Sequence, residues 1–389
     1  MQSYSLMCDF AHIIRINISK TMARQFSKRY LILAAVCVIA LLGLTYYYFF
    51  TSFTGRSVTK YVYVDQDDNY DSLAMKLRPE AKAHCFQAFS ILARHSNLIN
   101  KVRTGRYALT PSMGAFTVFR HLKNGLQDPL NLVVPSVRTM QDMAGALSKK
   151  LMLDSLTIEK ALTDNAECAK FGYDTATVAA MFIPNTYDIY WDTNVDNLLK
   201  RIKKENDSFW DQEERKEKAK SLNLSPVQVA TLASIVDEET ANDKEKPMIA
   251  GMYYNRLMLR DAEYPQGMPL QADPTIKFAL KDFALKRIYQ NMLFIKSPYN
   301  TYKNPGLPPG PIRVASIAGI DAVLNMVHHN YLYMCAKPDF SGTHDFAVTY
   351  AEHMANAHRY AAALNQRGIT VFHLRVGLTL RFFVLMTLR

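Results

Sequence analysis

The sequence predicts an α+β protein carried on a single N-terminal membrane-spanning helix, and three observations predict it. One uncharged apolar run, Tyr30 to Phe50, is long enough to cross a bilayer. Beyond it, short stretches of alternating polarity such as Val58 to Val64 are interleaved with longer stretches of helical period. The 389-residue chain is 49% hydrophobic and 21% charged, which reads as globular protein plus a membrane element and not as disorder. That length allows two or three domains with a sizeable core.

The apolar run ends in a Tyr/Phe cluster suited to a membrane interface, and it is too long, with no small-x-small cleavage site, for a signal peptide. Arg15, Lys20, Arg24, Lys28 and Arg29 precede it against only Asp9, whereas Arg56 and Lys60 follow more sparsely. The positive-inside rule therefore places the N-terminus in the cytoplasm and the bulk of the chain outside. Met22 would open a conventional short tail, which makes residues 1–21 a candidate start-site extension. The net charge of +11 is scattered and not interleaved with aromatics. It argues against a nucleic-acid binder and fits an ectodomain facing an anionic polymer or membrane surface. Of five cysteines, Cys8 is inside, Cys37 lies in the membrane, and Cys85, Cys168 and Cys335 are far apart. Neither a disulfide framework nor a zinc site is indicated, and buried free thiols are expected.

After a short Ser/Thr/Gly linker, Val58 to Val64 alternates as a strand, Asp71 to Leu77 and Phe86 to Leu98 are helical, Gly105 opens a strand, and Ala115 to Leu122 is a helix. These make a small α+β module over residues 57–125. A second unit, 128–223, has a strand at Leu130 to Val134 and helices at Met140 to Leu151 (Thr139 capping) and Thr157 to Asp164. The aromatic-dense Met181 to Trp191 is expected to be core before a platform for carbohydrate. Residues 194–223 read as one charged amphipathic arm. A third unit, 224–366, holds helices at Ser225 to Thr240, Lys246 to Leu259 and Ala315 to His328, a strand at Tyr331 to Ala336, and a last helix after His344. On the second of these helices Met248, Ile249, Met252, Tyr253 and Leu257 share one face. Pro269 to Thr275 reads as extended, so that Gln271 and Asp273 point the same way. Ser297 to Tyr302 and Gly306 to Ile312 are rigid Pro/Gly loops. Residues 367–389 are an atypical tail, apolar but broken by arginines. His353 and His358 are five apart, a poor spacing for two metal ligands on one helical face.

The chemistry concentrates in Ser225 to Thr240. Ser225, Pro226 and Gln228 form a helix start with a capping box. At roughly 100° per residue, Val229, Leu232, Ala233 and Val236 make an apolar arc. Glu238 points away from it, Asp237 sits at its edge, and Glu239 falls within it. Acids at a helix C-terminus are ordinarily solvated and oppose the macrodipole. One turned to the buried side loses solvation, and its pKa rises toward what a general acid needs.

Leu232 to Thr240, Asn255-Arg256-Leu257, Leu270 to Thr275, Tyr299 to Tyr302 and Gly306 to Ile312, in this order, resemble the MltG (YceG-like) family of endolytic murein transglycosylases. The likeness covers roughly residues 30–366. Two features depart from it: Pro135 to Thr139 lacks the family's glycine turn, and the tail after 368 is unlike it. The resemblance implies a LysM-like fold for residues 57–125 and a YceG-like catalytic domain for 224–366, with 1–29 cytoplasmic and 30–50 crossing the bacterial inner membrane into the periplasm. It implies cleavage of the β-1,4 bond between N-acetylmuramic acid and N-acetylglucosamine with formation of 1,6-anhydro ends, terminating nascent strands beside peptidoglycan synthases. Glu239 matches the catalytic acid, and Asp237, Gln271, Asp273, Asn300 and Tyr302 are candidate substrate-binding residues. No cofactor or metal is called for. A water-using muramidase with Asp237 or Asp273 as second carboxylate is the nearest alternative. A tethered, non-catalytic peptidoglycan-binding scaffold is the other.

Overall fold

A computed structural model describes residues 28–285 and 288–367. The N-terminal segment with Cys8 and Met22, and the atypical tail beyond Arg367, lie outside the described residues. The chain divides into two compact units, one ending at Pro129 and one beginning at Leu130.

In the first unit, α1 (Lys28–Phe49) is one helix long and apolar enough to cross a membrane. Strands β1 (Lys60–Val64) and β2 (Gly105–Leu109) pair antiparallel, with Val62 opposite Tyr107. Period-two alternation turns Val62 and Val64 inward and Tyr61 and Tyr63 outward. Between the strands run α2 (Tyr70–Leu77), started by an Asn69/Ser72 capping box, and α3 (Ala83–Arg94); α4 (Ala115–Asn124) follows β2 and ends at Gly125 with φ +69°. The helix expected over 86–98 stops at Arg94, because Ser96 turns its hydroxyl back onto the Ala93 carbonyl and competes with the helical ladder. The short Ser/Thr/Gly stretch expected to be a linker is anchored in the unit. Phe53 is fully buried against Phe89, its N–H donates to the Met113 carbonyl (2.8 Å), and its carbonyl accepts from Lys82 N–H (2.7 Å). An aromatic residue in a Ser/Thr/Gly stretch outweighs the flexibility of its neighbours once a core is there to receive it.

The second unit carries two apolar clusters. One is built on the antiparallel pair β3 (Leu130–Val133) and β4 (Thr186–Ile189), with α5 (Met140–Ser148), α6 (Ser155–Thr163) and α7 (Asn165–Ala169). Phe182, Tyr187 and Ile189 from the aromatic stretch are core residues in or beside it. The single arm expected over 194–223 is instead two helices, α8 (Val195–Asp211) and α9 (Arg215–Ser221). Glu213 and Glu214 both take φ 54° between them. The break lets Arg215 turn inward, where it is 4% exposed, pairs with Asp321 at 2.9 Å and lies over the Phe209 ring. A buried guanidinium needs those partners, and that requirement overrides helix propensity.

The other cluster surrounds α10 (Pro226–Glu239), with α11 (Lys246–Met258), α12 (Asp273–Leu280) and α13 (Ile317–Leu324) packed around it. Strands β5 (Tyr333–Ala336) and β6 (His344–Ala347) form a third antiparallel pair, capped by α14 (Tyr350–Gln366). The stretch expected to be extended over 269–275 is not a strand. Asp273 opens α12, Pro274 occupies its first turn, and Gln271 sits at φ 53°. Acid followed by proline is a helix-start signal, and here it prevails over the alternation of polar and apolar residues.

Candidate active site

Helix α10 is buried nearly all round, not along one arc: Ala230, Thr231 and Ser234 join Val229, Leu232, Ala233, Ile235 and Val236 in the interior. Its polar side chains are satisfied locally. Thr231 Oγ1 donates to the Val227 carbonyl, Ser234 Oγ to that of Thr231, and Ser234 Oγ accepts from Ile312 N–H at 3.0 Å. The capping box is present in full, with Ser225 Oγ accepting from Gln228 N–H and Gln228 Oε1 from Ser225 N–H.

The three acids at its end have three different fates. Asp237 is pinned by Ser316 N–H (2.6 Å), Ser316 Oγ (2.7 Å) and Lys246 Nζ (2.8 Å). A Cβ at Gly319 would meet its Oδ1 at 2.5 Å, so glycine makes room for it. Glu238 accepts a two-pronged pair from Arg138 (both 2.8 Å) and a third bond from Arg313 (2.9 Å). Glu239 is 8% exposed; its Oε1 accepts from Tyr253 Oη at 2.7 Å, and its buried Oε2 has no hydrogen-bond partner among the described residues. The last turn of α10 is thus fixed from three directions, which holds Glu239 still.

Burial pushes the Glu239 carboxyl up to about 7, helped by the nearby charge of Asp273 and opposed by the Tyr253 hydrogen bond and by His344 and Lys277. Close to neutrality it exists as acid and as carboxylate in comparable amounts, which suits a group that must give and then take a proton. Asp273, 5% exposed, is likewise raised by burial, against the opposing hydrogen bond from Tyr302 Oη to its Oδ1. Both tyrosine hydroxyls are held well above their ordinary range by burial beside these carboxylates and remain donors.

Of the residues singled out in the sequence, Glu239, Asp273 and Tyr302 come together in one buried polar group. Asn300 is elsewhere in role. Fully buried, it donates to the Leu293 and Ile295 carbonyls (2.9 Å each) and accepts from Tyr302 N–H (3.0 Å), so it shapes the loop that presents Tyr302. Asp237 is tied to α11 and α13 and braces the helix end. Gln271 is half-buried, its backbone N–H bonded to the Thr301 carbonyl at 3.0 Å. Asn255 and Arg256 act as clips. Asn255 Nδ2 holds the His329 and Tyr331 carbonyls, and Arg256 holds those of Leu332 and Leu270. Thr240 donates to Glu245, which also accepts from His344 N–H and Nδ1. Burial tends to raise the Glu245 carboxyl, but the His344 hydrogen bonds outweigh it and hold it below the usual range.

Tyr253 escaped sequence reasoning as a site residue. It lies on the apolar face of α11 as expected, and the available signal was that a buried tyrosine needs a partner for its hydroxyl. Tyr253→Phe removes the donor that favours the ionised form of Glu239. The titration profile of the Glu239 carboxyl, read from its infrared carbonyl band, is expected to move to higher pH. An unchanged profile would show that the bond is only structural.

The YceG-like family model matches residues 62–359. An endolytic murein transglycosylase of Bacillus subtilis strain 168 is 34% identical over 176 residues, 45% of this chain and 46% of that protein. One from Streptococcus pneumoniae serotype 2 strain D39 is 28% identical over 286 residues, 64% of this chain and 49% of that protein. The chain spans about half the length of these curated relatives. A crystal structure of a yceG-like protein from Listeria monocytogenes is 24% identical, covers 77% of this chain and 99% of its own, and has a TM-score of 0.48.

Proposed function

Because the chain belongs to the YceG-like family, we propose that it is an endolytic murein transglycosylase, cutting the β-1,4 bond between N-acetylmuramic acid and N-acetylglucosamine in glycan strands. The observation that carries this reading is the buried Glu239 carboxyl, raised to about 7, with one oxygen anchored by Tyr253 and the other without a hydrogen-bond partner among the described residues. Hydrolases of the usual kind pair two carboxylates across the bond. A single carboxyl suffices when the nucleophile belongs to the substrate. Glu239 protonates the glycosidic oxygen as that bond breaks; the resulting carboxylate then takes the proton of the muramic acid 6-hydroxyl, whose oxygen closes a 1,6-anhydro ring on C1. Proximity lets that hydroxyl outrun water. In this reading Asp273 and Tyr302, hydrogen-bonded to each other and near enough to Glu239 to act on its charge, contact the sugar together with Gln271.

On the same reading residues 57–125 are a LysM-like module, 128–223 an intermediate module and arm, and 224–366 the catalytic domain. The helix α1 then anchors the chain in the bacterial inner membrane with the N-terminus cytoplasmic and the catalytic domain periplasmic. Peptidoglycan synthases are the partners at that surface. Mass spectrometry of glycan digested by the full chain tests the chemistry. Anhydro-muramic ends are expected; reducing ends would make it a muramidase with Asp273 as second carboxylate. Strand binding without cleavage would leave a scaffold.

A further inference from the structure

The end of the first unit that receives α1 is built differently from a tether. At 1.5 Å per residue the 22 residues of α1 run about 33 Å, close to the ~30 Å of a bilayer's hydrocarbon. If Lys28 marks one side, the far interface falls at the aromatic end of the helix, Tyr46 to Phe50. That end is continuous with the folded unit. The Tyr47 ring stacks on His84 at 4.1 Å, and Thr51 Oγ1 lies 3.2 Å from His84 Nε2. Tyr48 and Phe49 pack against the core cluster of the unit. At Gly114 an added Cβ would meet the Phe49 carbonyl at 2.5 Å and Phe50 Cα at 2.8 Å, so α4 begins in backbone contact with the end of α1.

Whatever touches Tyr46 to Phe50 therefore stands at the depth of the interface. Phe116, on the first turn of α4, is 41% exposed and lies 6.0 Å from the Phe50 ring, itself 52% exposed. Arg120 follows on the same face one turn later and is exposed. It has no carboxylate partner among the described residues. A large exposed aromatic ring beside a free cation, at the mouth of an apolar helix, has the composition of an interfacial membrane contact.

We infer that this face, Phe50 and Phe116 with Arg120, docks onto the lipid surface from which α1 emerges, the rings entering the headgroup region and the guanidinium meeting anionic phospholipid headgroups. The module is thereby seated on the membrane and does not swing on a linker. This rests on the reading that α1 spans the bilayer, and the test separates the two.

The full chain is reconstituted in vesicles with plain or acyl-brominated lipid, of phosphatidylcholine alone or mixed with phosphatidylglycerol. Tryptophan is placed in the span by Leu41→Trp or on the face by Phe116→Trp, and emission is taken as the difference from the parent, which has 2 tryptophans. Leu41→Trp is expected to be quenched several-fold and Phe116→Trp about twofold by brominated lipid. Adding Arg120→Glu to Phe116→Trp is expected to relieve quenching in the phosphatidylglycerol mixture more than in phosphatidylcholine. Quenching of Leu41→Trp without quenching of Phe116→Trp overturns the docking face alone. Absence of both overturns the membrane span and the docking together. Equal effects of Arg120→Glu in the two mixtures overturn the role assigned to anionic headgroups.

Discussion

Glu239→Gln is expected to leave a folded protein that cleaves glycan at about a thousandth of the wild-type rate, within the range a positioned general acid contributes. The amide keeps an oxygen for Tyr253 but has no proton to give. The same substitution has a signature in stability. The folded pKa of Glu239 is raised from 4.5 to about 7, a shift worth about 3 kcal/mol. The native state therefore holds the proton more tightly than the unfolded chain does. The stability linked to that proton is fully present below pH 4.5, declines as pH climbs toward about 7, and is absent above it. Other groups titrate as well, so the informative quantity is wild type minus Glu239→Gln, followed by denaturant midpoint across that window. A difference that stays flat with pH would mean that Glu239 is ionised in the native state as it is in water.

Asp237→Ala is expected to reduce stability by about 3 kcal/mol, since breaking a buried ion pair by removing one partner leaves the other uncompensated. The side chains of Asp237 and Lys246 are 3% and 7% exposed, and the Ser316 N–H would also lose its acceptor. Lys246 keeps Asp243 at 2.7 Å, but that carboxylate is two-thirds exposed and compensates weakly. In denaturant unfolding the midpoint should fall with an unchanged slope, and Asp237→Asn, which retains an acceptor, should lose less. Full stability together with lost cleavage would instead place Asp237 in the chemistry. The adjacent acids thus separate cleanly by role: Asp237 joins α10 to α11 and α13, Glu238 joins it to Arg138 and Arg313, and Glu239 is left with a single hydrogen bond among the described residues.

What the sequence made legible, and what it did not, follows from the range of the interactions involved. The Ser225/Gln228 box, the Thr139 cap and the inward turn of Glu239 depend on residues within one or two turns, where spacing alone decides geometry. The break before Arg215 depends on Asp321, over a hundred positions away. The burial of Phe53 depends on Phe89 and Met113, and the pairing of Glu239 with Tyr253 on the packing of two helices. The loop set by Asn300 exposes a related limit: a polar residue in a rigid Pro-bounded segment reads equally as ligand or as brace, and its bonds to the Leu293 and Ile295 carbonyls make it a brace. Asp273 acts on Glu239 from the first turn of α12 and not from a strand, because Pro274 starts a helix there and prevails over the alternation around it.

The reading turns on Glu239 keeping its proton up to neutrality, where it is about half protonated, and acting as the proton donor. Infrared difference spectroscopy of wild type minus Glu239→Gln reads it without any substrate. A protonated-carboxyl carbonyl band is expected in the wild type on the acid side of neutrality, disappearing with a midpoint at about 7 as pH is raised. A spectrum showing only carboxylate from about pH 5 upward, the ordinary behaviour of a solvated glutamate, would contradict it.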